Sequence, residues 1–550
     1  MNDPLVPVTP AAYQYPLLIK NLLTAPLLHS PHQEIVYRGQ QRFTYRELRQ
    51  RIGRLGSGLA NLGVRPGDTV AVMDFDSHRY LECFFAVPML GAVLMTVNVR
   101  LTPEQILYTI NHARAQYLLV HSELLPLLDP IRDRLATIRT TILVAEPGST
   151  PAASPRFATD YETLLAQGDP AHAFADFDEN TRATTFYTTG TTGLPKGVFF
   201  SHRQLVLHTL ATMAALASGG PQQSFHRHDV YMPITPMFHV HAWGVPYLAT
   251  LMGVKQVYPG RWGPDLLLDL KVREGVTFSH CVPSILHLLL TAPKSRETDL
   301  RGWKIIIGGS RLPTGLAQAA LDRGVDVFGG YGLSETCPVL TIAQLRTEPS
   351  ASDPAASLTQ RCRAGIPLPL VDLRLVDSDL RDVPHDGEAV GEVVVRAPWL
   401  TQGYLDDPQS SAQLWAQGYL HTQDIGRIDA DGYLEITDRL KDVIKVAGEW
   451  VSSLDLENLL SQHPAVGEVA VIALKDEKWG ERPLILVLPK PGATATEHDL
   501  RTFLAAACDA GKIARHALIS RVQFVDQIGK TSVGKINKRA LRAQFGGPGT

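Results

Sequence analysis

Strand-like and helical segments alternate along the first half of this chain, and that alternation restricts the fold more than any other feature. Thr44 and Glu47 stand three apart, the spacing of a capping box, ahead of Leu48, Ile52, Leu55, Leu59 and Leu62 at helical spacing. Gly63 marks the end of that helix, and residues 69–73 read as a strand. The unit recurs: Thr102, Pro103 and Gln105 open a helix, and residues 117–120 form the next strand. Strands joined through helices lie parallel, with helices covering the sheet, so the expected class is α/β. The longest apolar stretch, 84–99, is broken by Pro88, Gly91, Thr96 and Asn98. It is too short and interrupted to span a bilayer and reads as a buried helix followed by a strand.

The pattern changes late in the chain. Residues 429–433 (DADGY) read as a turn between two strands, and 438–442 (DRLKD) as a charged, exposed run. Beyond it come a strand at 443–446, a helix from Leu454 and a strand at 467–474. The expected organisation is a large N-terminal α/β domain, 1–439, and a small mobile α+β domain, 440–550. Residues 146–155 and 346–360 read as surface loops, 546–550 as a frayed tail, and no internal repeat is found.

Charge and cysteine usage exclude several classes. Lys and Arg total 52 against 55 Asp and Glu, a net charge of −3, so there is no overall basic excess for nucleic acid. The 5 cysteines include no C-x-x-C pair, which argues against a zinc ribbon or disulfide framework and for reduced thiols. The first nineteen residues hold no Lys or Arg and so lack a secretory n-region. A cytoplasmic location is expected.

The strongest chemical signal is residues 187–197, YTTGTTGLPKG, flanked by extended segments at 183–187 and 197–200. Gly190, Gly193 and Gly197 allow a loop to fold closely around an anion. Thr188, Thr189, Thr191 and Thr192 supply hydroxyls, and Lys196 a cation. Such a loop cradles phosphates with backbone N–H groups, hydroxyls and a positive charge. Lys196 is followed by Gly, so it is not a Walker A loop.

This stretch resembles the phosphate loop of the adenylate-forming enzymes, and the other motifs of that family follow in order. MFHVHAWG (237–244) is similar to the segment lining the acyl pocket, Gly308-Gly309-Ser310 to the adenine loop, and GYGLSET (330–336) to the Y-G-x-[ST]-E-T motif. Asp424 takes the place of the ribose aspartate, 438–441 that of the hinge, 445–450 (KVAGEW) the start of the mobile domain, and Lys535 the late catalytic lysine. The resemblance implies ATP, CoA and Mg²⁺ as reactants and cofactor. It implies catalytic roles for Lys535, Glu335, Lys196 and His239, with Mg²⁺ on Glu335 and Thr188. Nucleotide and CoA contacts are implied for the loop 188–193, Gly308, Gly309, Gly330, Tyr331, Gly332, Ser334, Thr336, Asp424, Arg439, Lys441, Lys445, Gly448 and Trp450. The chemistry needs such groups: attack of a carboxylate on the α-phosphorus of ATP builds charge on phosphate, which cations and donors stabilise.

Val240 and Trp243 resemble the V-N-A-W stretch of medium- and long-chain fatty acyl-CoA synthetases, whose tryptophan gates the acid tunnel. The expected activity is therefore ATP-dependent fatty acid–CoA ligation through an acyl-adenylate. The alternatives are a ligase for an aryl, alicyclic or sulfur-containing short acid, or a non-catalytic nucleotide-binding protein of the same fold. The expected partner is a small carboxylic acid, with no nucleic acid or integral membrane segment and with a homodimer kept open. Three segments depart from the family pattern: Gln423 replaces the Gly of T-G-D, Gly529 the Pro of P-[KR]-T, and 512–516 (KIARH) lacks the Trp and Pro of K-W-x-x-P.

Overall fold

The computed structural model describes residues 6, 8–146, 156–188, 194–220, 223–345, 353–447, 449–531 and 534–546. Local signals act as expected. Thr44 and Glu47 close a capping box on helix Tyr45–Asn61, and Thr102 and Gln105 close another on Pro103–His112. The strands beside them are Thr69–Met73 and Tyr117–His121. The apolar stretch becomes the fully buried helix His78–Met89 and strand Val93–Thr96.

Two large sheets form the main body. A seven-stranded sheet runs in the order Thr159–Asp160, Thr140–Val144, Tyr117–His121, Thr69–Met73, Val93–Thr96, Arg182–Tyr187, Gly197–Ser201. It is parallel except for its last, hairpin pair. A nine-stranded sheet has a parallel centre that includes Phe278–Cys281, Trp303–Ile307 and Val325–Gly332. The motifs follow from these strands. Thr188 succeeds Arg182–Tyr187, Gly308 and Gly309 succeed Trp303–Ile307, and Ser334–Thr336 succeeds Val325–Gly332. All lie at carboxyl ends of strands in parallel sheets, where α/β folds bind ligands.

An antiparallel five-stranded sheet follows, containing Gly391–Arg396, Tyr419–Ile428 and Leu434–Arg439. Residues 429–433 form the turn joining the last two of these. A separate five-stranded sheet then begins at Ile444–Val446, with helix Ser453–Leu460 and strands Val466–Asp476 and Gly480–Pro489. Among the described residues, every apolar cluster lies wholly before residue 437 or wholly after residue 443. The proposed domain boundary, 439–441, falls in that interval.

One loop assignment is corrected. Residues 346–352 lie outside the described residues, but Pro354–Arg361 is a helix. Asp353 caps it, accepting from the Ala355 and Ala356 N–H groups, with Pro354 in its first turn, both helix-start signals. Residues 147–155 and 547–550, within the other two irregular segments, also lie outside the described residues.

Candidate active site

Strands Arg182–Tyr187 and Gly197–Ser201 pair as a hairpin and bring Thr188 beside Lys196. The Thr188 N–H donates to the Lys196 carbonyl at 2.9 Å, and the Lys196 N–H to the Thr188 hydroxyl at 3.4 Å. Thr189, Gly190, Thr191, Thr192 and Gly193 lie outside the described residues. The Lys196 ammonium donates to the Ser410 hydroxyl at 2.8 Å and sits 4.6 Å from the centre of the Tyr404 ring. The Tyr404 hydroxyl in turn donates to Glu335 Oε1 at 2.8 Å. Lys196, Tyr404 and Glu335 thus form one row. Neither Tyr404 nor Ser410 was singled out from the sequence, since neither stands at a fixed spacing from a recognised motif.

A second group lies around Asp424. Pairing of Tyr419–Ile428 with Leu434–Arg439 sets Asp424 directly opposite Arg439. The Arg439 Nε–H donates to Asp424 Oδ1 at 2.9 Å, and the Tyr331 hydroxyl to Oδ2 at 2.8 Å. Gly332 is required sterically, because a Cβ there would stand 1.8 Å from the Pro338 carbonyl oxygen. Gly330 passes over Ile306, whose Cγ2 would lie 3.0 Å from an added Cβ. Ser334 is half-buried in the turn that follows. Thr336 is fully buried, and its hydroxyl is bonded to the backbone of Leu333 and Pro338. Gln423, in place of glycine, adopts φ +59° and exposes its side chain. That left-handed backbone explains why a glycine would suit the position.

Lys535 arrives from the C-terminal segment. Gly309 has φ +80°, and a Cβ on it would approach Lys535 Cε to 3.0 Å and Nζ to 3.8 Å. Only glycine leaves the space the lysine occupies. The preceding Gly534, at φ +85°, is anchored by its carbonyl, which accepts from the Ser284 hydroxyl at 2.9 Å. Gly529, the other departure, would set an added Cβ in open space. Burial, reinforced by the Arg439 charge, pushes the Lys535 ammonium down to about 8, against the opposing pull of Asp424 and Glu335. His239 is pushed down to about 3 by burial and by the charges of Lys535 and Arg100, so it is neutral.

The segment after His239 departs from local preference. Val240, His241, Ala242 and Trp243 all have positive φ, between 47° and 60°, a left-handed turn built without glycine. The turn lays the Trp243 indole against Gly308, where an added Cβ would meet its Cη2 at 2.9 Å. The indole is backed by His280, ring centres 5.0 Å apart, and His280 Nε2 bonds the Tyr231 hydroxyl at 2.7 Å. Val240 is buried beside it. A cavity of about 350 Å³ is lined by Phe75, Asp76, Arg100, Phe238 and Trp262, among others. Burial pushes the Asp76 carboxyl up to about 7 although the Met237 N–H donates to it at 2.7 Å.

Of the remaining contacts implied by resemblance, Lys441 adjoins the Asp424–Arg439 pair and the others lie further along the chain. Lys441 is exposed beside Arg439, and Lys445 is exposed on strand Ile444–Val446. Gly448 and the Trp450 side chain lie outside the described residues. The oxygen donors of Glu335 and Thr188 fit a hard cation such as Mg²⁺, which takes one or two carboxylates when substrate phosphates supply further oxygens.

Residues 27–405 match the family model of the AMP-binding enzymes, and 455–535 match that of the AMP-binding enzyme C-terminal domain. A long-chain-fatty-acid–CoA ligase of Thermus thermophilus is 43% identical over 92% of this chain and 90% of the relative. A 3-methylmercaptopropionyl-CoA ligase of Ruegeria pomeroyi is 37% identical over 90% of each. The solved structure of the anthranilate CoA ligase AuaEII with anthranoyl-AMP has the same fold, with a TM-score of 0.84, 24% identity and coverage of 96% of this chain and 98% of that one.

Proposed function

The chain belongs to the AMP-binding enzyme family, and from that premise we propose that it joins a fatty acid to CoA at the expense of ATP. Acid, ATP and CoA give acyl-CoA, AMP and diphosphate. The carboxylate oxygen bonds to the α-phosphorus, diphosphate departs, and the CoA thiolate then displaces AMP from the acyl carbon. The observation that carries the reading is the seating of Lys535 over Gly309, with Asp424, Arg439 and Glu335 acting on it electrostatically. A cation placed there stabilises the charge that builds on phosphate as the adenylate forms.

Asp424 and Arg439 orient the ribose, Tyr331 flanks the adenine, and the Thr188–Lys196 hairpin receives the phosphates. Glu335 and Thr188 would hold Mg²⁺, which would supply neutralising charge on the phosphates. His239 is neutral, so it adds no charge beside Lys535. No helix among the described residues is long and apolar enough to cross a membrane. The decisive assay measures AMP from ATP, Mg²⁺ and CoA with acids from C4 to C16 and with 3-methylmercaptopropionate. AMP formation with the alkyl acids is the expected result. A response confined to the sulfur acid favours the second reading, which the Ruegeria relative's name supports.

The Lys535 ionisation makes the reaction pH-dependent. Its ammonium is pushed down to about 8, so the catalytic cation is lost as pH rises through that value. The expected profile of kcat/KM for ATP, followed by diphosphate release, declines above about pH 8. Lys535→Arg lowers the rate but removes this decline, because a guanidinium stays charged. A wild-type profile flat to about pH 9.5 contradicts the role.

Trp243 gives a test of the acyl pocket. Its contact with Gly308 blocks the space beside the reacting carboxylate, so Trp243→Ala is expected to move the preferred acid toward longer chains while the KM for ATP changes little. Truncating a buried tryptophan also costs about 3–5 kcal/mol of stability, read by melting. A lowered melting temperature with an unaltered chain-length profile identifies an ordinary core residue.

A further inference from the structure

The contact between the two halves of the chain is polar. No apolar cluster among the described residues crosses the break at residues 437–443. What crosses is hydrogen bonds and ion pairs, and Arg311 carries the clearest of them. It follows the Gly308-Gly309-Ser310 loop, one residue from Ser310. Its Nη2–H donates to Glu435 on its own side at 2.5 Å, and its Nη1–H to Asp455, on helix Ser453–Leu460 of the other half, at 2.8 Å. Beside it Asn458 Oδ1 accepts from both the N–H and the hydroxyl of Thr314 at 3.1 Å. A Cβ on Gly315 would stand 2.8 Å from the Ser461 carbonyl oxygen, so the helix end rests directly on that backbone. A further contact is the Ser284–Gly534 bond that seats Lys535, and next to the break Asp438 accepts from the Ser453 N–H and hydroxyl at 2.7 and 2.8 Å while the Thr437 carbonyl accepts from the Ser452 hydroxyl at 2.5 Å.

A polar contact of this kind can release without exposing apolar surface, unlike a buried hydrophobic interface. Arg311 is arranged for release. Glu435 is also held by Arg427 at 3.0 Å, so this cluster stays assembled on the large half when Asp455 withdraws. Release leaves neither Arg311 nor Glu435 as an unpaired charge. Release also lifts Lys535 away from Gly309, on which its side chain is packed. We propose that Arg311 and Asp455 form a positioning latch that sets how often Lys535 is seated, and so divides the enzyme between adenylate formation and thioester formation. The proposal rests on the two-step reaction given above.

The full-length protein is assayed for each step separately: acid-dependent diphosphate release without CoA, and thioester formation from supplied acyl-adenylate and CoA. Wild-type protein performing both establishes the reaction before the latch is judged. Asp455 is 34% exposed and touches no apolar core, so Asp455→Asn is expected to fold, with an unchanged melting temperature as the check. The pair favours the seated pose, so its loss lowers adenylation or leaves it level, and raises thioester formation or leaves it level. The ratio of the two rates is expected to fall about fivefold, the factor that corresponds to an ion pair near the upper end of the exposed range. Asp455→Lys lowers the ratio further, and Asp455→Glu restores it. In an Arg311→Gln background the Asp455→Asn effect disappears, as the double-mutant cycle requires of a direct pair. The latch is overturned if Asp455→Asn slows both steps equally, if the ratio is unchanged, or if the effect persists undiminished without Arg311.

Discussion

Lys535→Ala is expected to reduce acid-dependent diphosphate formation by about 10²–10³-fold, the scale on which loss of one aimed transition-state donor is felt. Thioester formation from supplied acyl-adenylate and CoA should stay within about threefold of wild type, because in that step the phosphate is the leaving group and gains no attacking oxygen. The geometry behind this asymmetry is specific. Lys535 is held over Gly309 by the Gly534 carbonyl bonded to Ser284. Truncation is expected to leave the fold intact, to be verified by melting. Equal slowing of both steps in a folded variant removes the lysine from its role in adenylation.

The second large effect is expected at Glu335. Glu335→Gln keeps an oxygen to accept from Tyr404, and so preserves the Lys196–Tyr404–Glu335 row while removing the negative charge. A drop of about 10²-fold in adenylation is expected, within the range for losing an electrostatic contact made at the reacting phosphates. The variant should also need more Mg²⁺ for half-maximal rate, since a neutral amide is a poorer ligand for a hard cation than a carboxylate. Mg²⁺-dependent quenching of a fluorescent ATP analogue gives a measurement independent of turnover. Unchanged Mg²⁺ dependence by both measurements removes Glu335 from the metal site. Tyr404→Phe separates the neighbouring effect: it frees Glu335 of one hydrogen bond without changing its charge and should cost far less.

The sequence by itself determined most of the local structure and much of the list of chemical groups. Thr44 with Glu47 and Thr102 with Gln105 cap their helices because the interacting groups lie within one turn. DADGY makes its turn, but the register that turn imposes would set Asp424 opposite Asp438; a bulge at Thr437 shifts the pairing by one residue and brings Asp424 opposite Arg439. The same local rules were available for Asp353 and Pro354, where the surrounding Ser, Ala and Pro composition obscured a short helix. The tertiary structure decided the rest. Tyr404 meets Glu335 from 69 positions away, and Arg311 reaches Asp455 across 144, so neither partnership leaves a spacing in the chain. The left-handed turn 240–243 runs against the intrinsic preference of its own residues, each costing roughly 1–2 kcal/mol in that conformation. The packing of Trp243 on Gly308 and His280, and of His241 against Phe84 and Phe186, holds it together with the Ala242–His239 and Gly244–His241 backbone bonds. Short-range hydrogen bonds and periodic burial are written in consecutive residues. A site assembled from strand ends and a docked second domain depends on distances that exist only once the chain has closed on itself.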